Sequence, residues 1–447
     1  MRSFPAVRAA VAATALALVP AALPTGAQAA PSLDATVVPN AVDWTPQLVA
    51  TTAVPKPRVD AIAANPGAAT AYAGGLFDRV TQGNTTVARS NLVAFNRTSG
   101  AIDDDFAPRL DGLVRTVENA PGGGVYVGGD FRNVNGAARP ALVKLLPSGA
   151  VDPDFRPKIA GIVYDLELSD GHLIVAGNSG KRLTSLDPGT GVADGYIDVS
   201  LAGEACNTDG SICSWGTTSV YNFAISGGRL AAVGNFTTVN GQPRAKFFML
   251  NLTNTGTSLS SWYYASFATP CATDSPRRLA NLQGVDFSPN GQFVSVAATG
   301  QIPEEKSQVW HQNGGPQPQA TVCDGFGRFS VTDDSRAAWI NYTGGDSVWR
   351  VQDTGSATYV TGHFQWVDNP DGFASKCPVG HTCSPRFGIA AVNSTTGLAV
   401  EGWEPAARTT QGGKALEATS QGLWVGSDAA KFGGEPHRGL ALAPARP

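Results

Sequence analysis

Beyond its first thirty residues the sequence has no apolar run long enough to cross a bilayer, and the early run at residues 9–20 is too short for a stop-transfer helix. No membrane function carried by helices fits such a chain. Charge is thin as well, at 15% of residues, which is sparse for a helical protein. Histidine occurs only as His172, His311, His363, His381 and His437, with no pair at metal-ligand spacing, so there is no basis for a zinc site. The Gly-x-Ser-x-Gly elbow of serine hydrolases is missing from residue 30 onward. No residue pattern calls for a cofactor or a resident metal.

What is present begins with a secretory signal. Arg2 and Arg8 precede the apolar run, and Ala27-Gln28-Ala29 is a small-residue cleavage motif, so residues 1–29 read as a signal peptide and 30–447 as the mature domain. Removing the two signal arginines leaves 30 basic against 36 acidic residues, a balance of −6 that argues against nucleic acid as a partner. The mature chain is expected to be secreted, extracellular, free of the membrane and monomeric. All six cysteines lie within residues 206–383, and an even count outside the cytosol favours disulfides. Proximity along an expected common face pairs Cys206 with Cys213, Cys271 with Cys323, and Cys377 with Cys383.

Glycine (52 residues) and proline (30) punctuate the chain into short segments, and one segment recurs. Residues 125–157, VYVGGDFRNVNGAARPALVKLLPSGAVDPDFRP, read as strand, loop, strand, tight turn and strand, with a further strand just upstream. Four short strands repeating at about 50 residues are the signature of a β-propeller blade. The matching residues are Gly75, Phe77 and Arg89; Gly129, Phe131 and Arg139; Gly177 and Arg182; Gly234, Phe236 and Arg244; Gly362, Phe364 and Arg386; and, more worn, Arg438. With an altered fifth copy from Leu282, the expectation is an all-β, single seven-bladed propeller. Its last copy lacks a fourth strand, and residues 41–46, AVDWTP, match the end of a copy but precede the first one. They are expected to complete the last blade and close the ring, which removes two exposed sheet edges.

The glycine-x-aromatic loop, the Asn-Gly turn, the arginine and the Asp-x-aromatic-x-Pro ending resemble the delta-sixty repeats of exported bacterial β-propeller proteins. The resemblance is strongest in the first, second, fourth and sixth copies. It implies the fold and export, and it transfers no catalytic residue.

Function is less legible. The repeated arginines are expected to tie blades together, and Asp103-Asp104-Asp105 is expected to be a solvated turn because it lacks the spaced ligands of a calcium loop. The long irregular segments, residues 201–218, 266–281, 299–324 and 365–385, are expected on one face, where loops on a rigid scaffold carry function. First strands line the channel of a propeller. The position after their leading residue varies from copy to copy as Asp60, Arg115, Tyr164, Tyr221, Gln283, Trp349 and Lys414, so any ligand is expected there, with Trp215, Trp310 and His381 as outer contacts. The expected function is a secreted, non-catalytic binding or interaction module with an extracellular polysaccharide or protein as partner. The alternatives are a secreted enzyme acting on carbohydrate or another extracellular polymer, with carboxylates gathered from different blades, and a rigid structural spacer.

Overall fold

Turn dipeptides set the strand lengths. Asn135 (φ 53°) and Gly136 (φ 82°) both take left-handed backbone, as do Asn240 (φ 50°) and Gly241 (φ 74°), which is the conformation a two-residue hairpin with the twist of its strands requires. The computed structural model of the protein describes residues 32–205, 216–269, 271, 280–300 and 321–446. Within them the chain is all-β, with one 3₁₀ turn at Ala265–Ala268.

Among the described residues seven main sheets follow one another along the chain, each antiparallel, and in five of them a separate small hairpin is inserted between the second and third strands. Their inner strands are Arg58–Ala63, Val114–Asn119, Val163–Ser169, Ser219–Ser226, Asn281–Phe287, Val348–Asp353 and Ala415–Thr419. Each inner strand packs on that of the next sheet, and the seventh packs on the first. Third strands carry a full fourth strand in sheets four (Gly256–Leu259) and five (Asp333–Tyr342), and single bridges such as Phe95 with Ile102 and Leu145 with Val151 elsewhere. Trp262 falls just after the fourth strand of sheet four and packs on Phe247 at 5.0 Å between ring centroids.

The repeated residues have local reasons. A Cβ at Gly75, Gly129, Gly234 or Gly362 would collide with the carbonyl oxygen of Arg58, Leu113, Ser219 or Ser347 in the neighbouring inner strand, so the close approach of the two strands requires glycine. In the first, second and sixth copies the aromatic ending packs on an aromatic of the second strand: Phe106 on Tyr72 at 5.3 Å, Phe155 on Tyr126 at 5.4 Å and Trp403 on Tyr359 at 5.4 Å. Trp44 makes the corresponding contact with Trp424 of sheet seven at 6.0 Å. Beside it, Val42 N–H donates to the Leu442 carbonyl and Val38 N–H to that of Pro444, both at 2.9 Å.

Buried apolar clusters fill the space between neighbouring sheets, and one of them joins sheets seven and one through Trp424, Leu442, Val59, Phe95 and Leu48. The repeated arginines act mainly within their own sheet. Arg89, Arg244 and Arg386 each donate to the carbonyl of the preceding residue and to a carbonyl at the end of their own copy, namely those of Asp103, Ser260 and Val400. Only Arg182 reaches onward, to the Thr218 carbonyl before sheet four. In the Asp103 turn, the carboxylate accepts the N–H groups of Asp105 and Phe106.

The expected pairings Cys271–Cys323 and Cys377–Cys383 are formed, with Cα separations of 5.9 and 6.0 Å, while Cys206 and Cys213 lie outside the described residues. Non-reducing peptide mapping of the purified protein should recover both of these pairs together with Cys206–Cys213. A peptide linking any other two cysteines refutes the assignment.

Candidate functional site

The site is built by a defect repeated in the inner strands. In sheets one to six the register slips across one residue, between Val59 and Ala61, Val114 and Thr116, Val163 and Asp165, Val220 and Asn222, Leu282 and Gly284, and Val348 and Arg350. The bulged residues are Asp60, Arg115, Tyr164, Tyr221, Gln283 and Trp349, and Lys414 directly precedes the inner strand of sheet seven. A bulge leaves its residue unpaired and shifts the alternation beyond it by one. Consequently Val117, Leu166, Val285 and Val351 turn into the buried clusters, and the residues flanking them face a central cavity of about 900 Å³.

All seven inner strands contribute to that cavity. Of the sequence-predicted residues, Asp60, Arg115 and Lys414 line it, whereas Tyr164, Tyr221, Gln283 and Trp349 lie outside its lining. The two tyrosines meet edge to face at 5.5 Å, and the Arg115 guanidinium lies 5.5 Å from the Tyr164 ring centre. Lys414 Nζ sits 3.1 Å from the centre of the Trp349 ring. Asp60 is held by Arg58, whose Nε donates to both carboxylate oxygens at 2.9 and 3.0 Å. His381 lies in the Cys377–Cys383 loop, 3.1 Å from the Asp371 carboxylate. Trp215 and Trp310 lie outside the described residues.

The cavity extends away from the glycine-x-aromatic loops, toward the turns at residues 65–69 and 121–124 that join inner to second strands. Deeper in it the bulge exposes residues that simple alternation counted from Asp60 or Arg115 misses. One tier holds Thr116, Asp165, Asn222 and Arg350, and the next holds Glu118, Glu167, Asp286, Gln352 and Glu417. Several of these side chains stitch neighbouring sheets together by accepting a backbone N–H from the following inner strand. Thr116 accepts from Leu166 (3.2 Å), Asp165 from Phe223 (3.0 Å), Asn222 from Val285 (2.8 Å), Asp286 from Asp353 (2.7 Å), Gln352 from Ala418 (3.3 Å) and Glu417 from Ala64 (2.9 Å). Only between sheets one and two does the sense reverse, Asn65 N–H donating to Asn119 Oδ1 at 3.3 Å.

The carboxyls of this wall hold their protons well above the usual range. Burial, then the charges of Glu417 and Asp165, pushes Glu118 up to about 8, and burial with Glu118, Asp165 and Asp286 as neighbours raises Glu167 well above its ordinary value. No hydrogen bond offsets either shift. Glu417 rises to about 7 by burial, moderated by the Ala64 N–H, and burial raises Asp286 strongly despite the Asp353 N–H. Lys414 moves the other way, down to about 7, through burial and the nearby Arg350, Arg58 and Arg115 charges. Among the described residues no group of three or more His, Cys, Asp or Glu is arranged to hold a metal ion, and no helix is long and apolar enough to cross a membrane.

Consecutive antiparallel sheets packed inner strand to inner strand around a polar channel define a β-propeller fold. In keeping with it, residues 123–155 match a family model described as a domain of unknown function (DUF5122) β-propeller, over the segment whose pattern recurs along the chain. No curated protein matches the chain. Among solved structures, the β-propeller domain of Cps50 (Swd1) from Myceliophteria thermophila is similar at a TM-score of 0.38 and 11% identity, covering 68% of this chain and 80% of that one. At that score the likeness decides nothing about this chain.

Proposed function

We propose that the protein is a secreted, non-catalytic binding module: a monomeric seven-bladed propeller of the delta-sixty type, closed by residues 41–46, whose ligand site is the central channel. The observation that carries this reading is a contrast. The frame repeats its glycine, aromatic and arginine in the first, second, fourth and sixth copies, whereas the cavity-lining positions differ from copy to copy around a space of about 900 Å³. A position kept only for packing would repeat with the frame, and non-repeating polar walls around a preformed cavity fit recognition of one asymmetric ligand. The ligand class is an extracellular polysaccharide or a protein segment.

A glycan array and a pull-down with residues 30–447 test this reading. Replacing Tyr164, Tyr221 and Trp349, the rings that back the lining residues Arg115 and Lys414, together by alanine, with folding checked by circular dichroism, should weaken the captured ligand on the order of tenfold or more by releasing those two cations from their positions. Undiminished affinity moves the contact to the acidic end of the channel.

One observation favours the second reading, an enzyme acting on an extracellular polymer: Glu118 and Glu167 are neighbouring carboxyls with raised pKa values facing the cavity, the setting in which acid catalysts occur. Release of reducing ends by the wild type and its loss in Glu118→Gln would decide for it.

A further inference from the structure

Four cations gather around the upper part of the channel, and their charges are not balanced alike. Arg58 is chelated by Asp60, and Arg115 Nη2 pairs with Asp130 at 3.0 Å. Arg350 and Lys414 have no such partner: among the described residues no carboxylate lies within ion-pair distance of either. Arg350 Nη1 donates to the carbonyls of Gln283 (2.9 Å) and Trp349 (3.1 Å), which fixes the guanidinium plane without neutralising it. The Lys414 ammonium rests on the Trp349 ring. Both residues line the cavity, and the Arg350 charge raises the cost of charging Lys414.

Resting on the reading of the channel as a ligand site, we propose that Arg350 and Lys414 form an anion subsite for the carboxylate of a sugar acid, whose hydroxyls face the tiers below. The fixed fork of Arg350 suits a carboxylate, and Lys414 adds a point charge from the neighbouring inner strand. Level with Arg350 the wall offers the polar side chains of Thr116 and Asn222, and below it Gln352 with Glu118 and Glu167. Amides and hydroxyls match sugar hydroxyls, and Arg350 and Lys414 are the lining cations left without an ion pair, so the ligand carries one carboxylate and points it upward. The cavity is ample for one such residue, either a free sugar acid or the terminal uronate of a polysaccharide.

Calorimetric titration of the full mature protein with glucuronate, galacturonate, trigalacturonate, glucose and galactose tests the subsite. Saturable binding is expected for the uronates and not for the neutral sugars. Trigalacturonate binding more tightly than galacturonate identifies a polymer end as the source, and equal affinity identifies the free acid. Lys414→Met should weaken uronate binding on the order of tenfold or more while circular dichroism stays unchanged. Arg350→Gln should do the same if it folds, and Lys414→Met keeps the test decisive if it does not. Equal affinity for neutral sugars, or uronate binding untouched by Lys414→Met, overturns the inference. If a screened ligand is lost in the triple aromatic variant but kept in Lys414→Met, the channel reading stands and the anion subsite falls. If no ligand of any class binds, both fall.

Discussion

A chain that starts after residue 46 should melt at least about 10 °C below the mature protein or fail to fold. Residues 33–48 supply N–H groups to the outer edge of sheet seven at Leu442 and Pro444. Residue 37 is fully buried; its N–H donates to the Tyr359 hydroxyl at 2.8 Å and its carbonyl accepts from the Trp403 indole at 2.9 Å. Removing the segment strands both of those buried polar groups, at about 1–3 kcal/mol each, and uncovers Trp424 together with an unpaired sheet edge. Trp44→Ala in the full mature chain is the milder companion, with an expected cost of about 3 kcal/mol for the emptied aromatic contact. Scanning calorimetry of the three proteins is the measurement. A truncated chain as stable as the intact one would show that residues 41–46 do not complete the last blade.

The second large effect is a loss of stability between pH 5 and pH 8. Glu118, Glu167, Asp286 and Glu417 have raised folded pKa values, so below their ordinary value near 4.5 for glutamate they cost nothing, and stability falls as pH climbs through about 7 and 8. A tenfold difference in proton affinity between the folded and unfolded chain corresponds to about 1.4 kcal/mol. Water in the channel reduces the sum over the four carboxyls to a few kcal/mol, or on the order of 5 °C. Lys414 and Lys246 act in the opposite sense: with folded values of about 7 and 8 they bind fewer protons than the unfolded chain up to about pH 10, so stability recovers on the alkaline side. The melting temperature should therefore pass through a minimum near pH 7 to 8. The double variant Glu118→Gln, Glu167→Gln should melt higher than wild type at pH 8 and differ little at pH 4.5. An unchanged pH profile in that variant would remove these two carboxyls as its cause.

The frame was legible in the sequence because its residues repeat for steric reasons. Gly129 recurs as Gly75, Gly234 and Gly362 since no other residue fits against the neighbouring carbonyl, and Asn135-Gly136 recurs as Asn240-Gly241 since both must take left-handed backbone. Even the altered fifth copy keeps its third strand, at Gly325–Ser330. The channel was only half legible. Variation at Asp60, Arg115 and Lys414 identified the inner-strand position that lines it, but the deeper tier stayed hidden because the bulge reverses the alternation beyond it. Allowing a one-residue slip at each variable position would have brought forward Glu118, Glu167 and Glu417. The aromatic members, Tyr164, Tyr221 and Trp349, sit at the bulges but outside the cavity lining, and they use much of their ring surface on one another or on Arg115 and Lys414.

The stitching of one inner strand to the next has a consequence for how the molecule comes apart. In a linear array of repeats the terminal units fray first, because each end has a neighbour on one side only. Here the acceptors run in a single sense from Thr116 through Asp165, Asn222, Asp286 and Gln352 to Glu417, and the last of them grips Ala64 of the first sheet. Sheet seven is thus fastened on both sides like any internal one. The single joint where the sense reverses, at Asn65 and Asn119, lies between sheets that are consecutive in the chain, where the polypeptide itself tethers the two halves. With the ring closed as proposed, opening breaks two joints at once, and the seven sheets are expected to unfold as one cooperative unit.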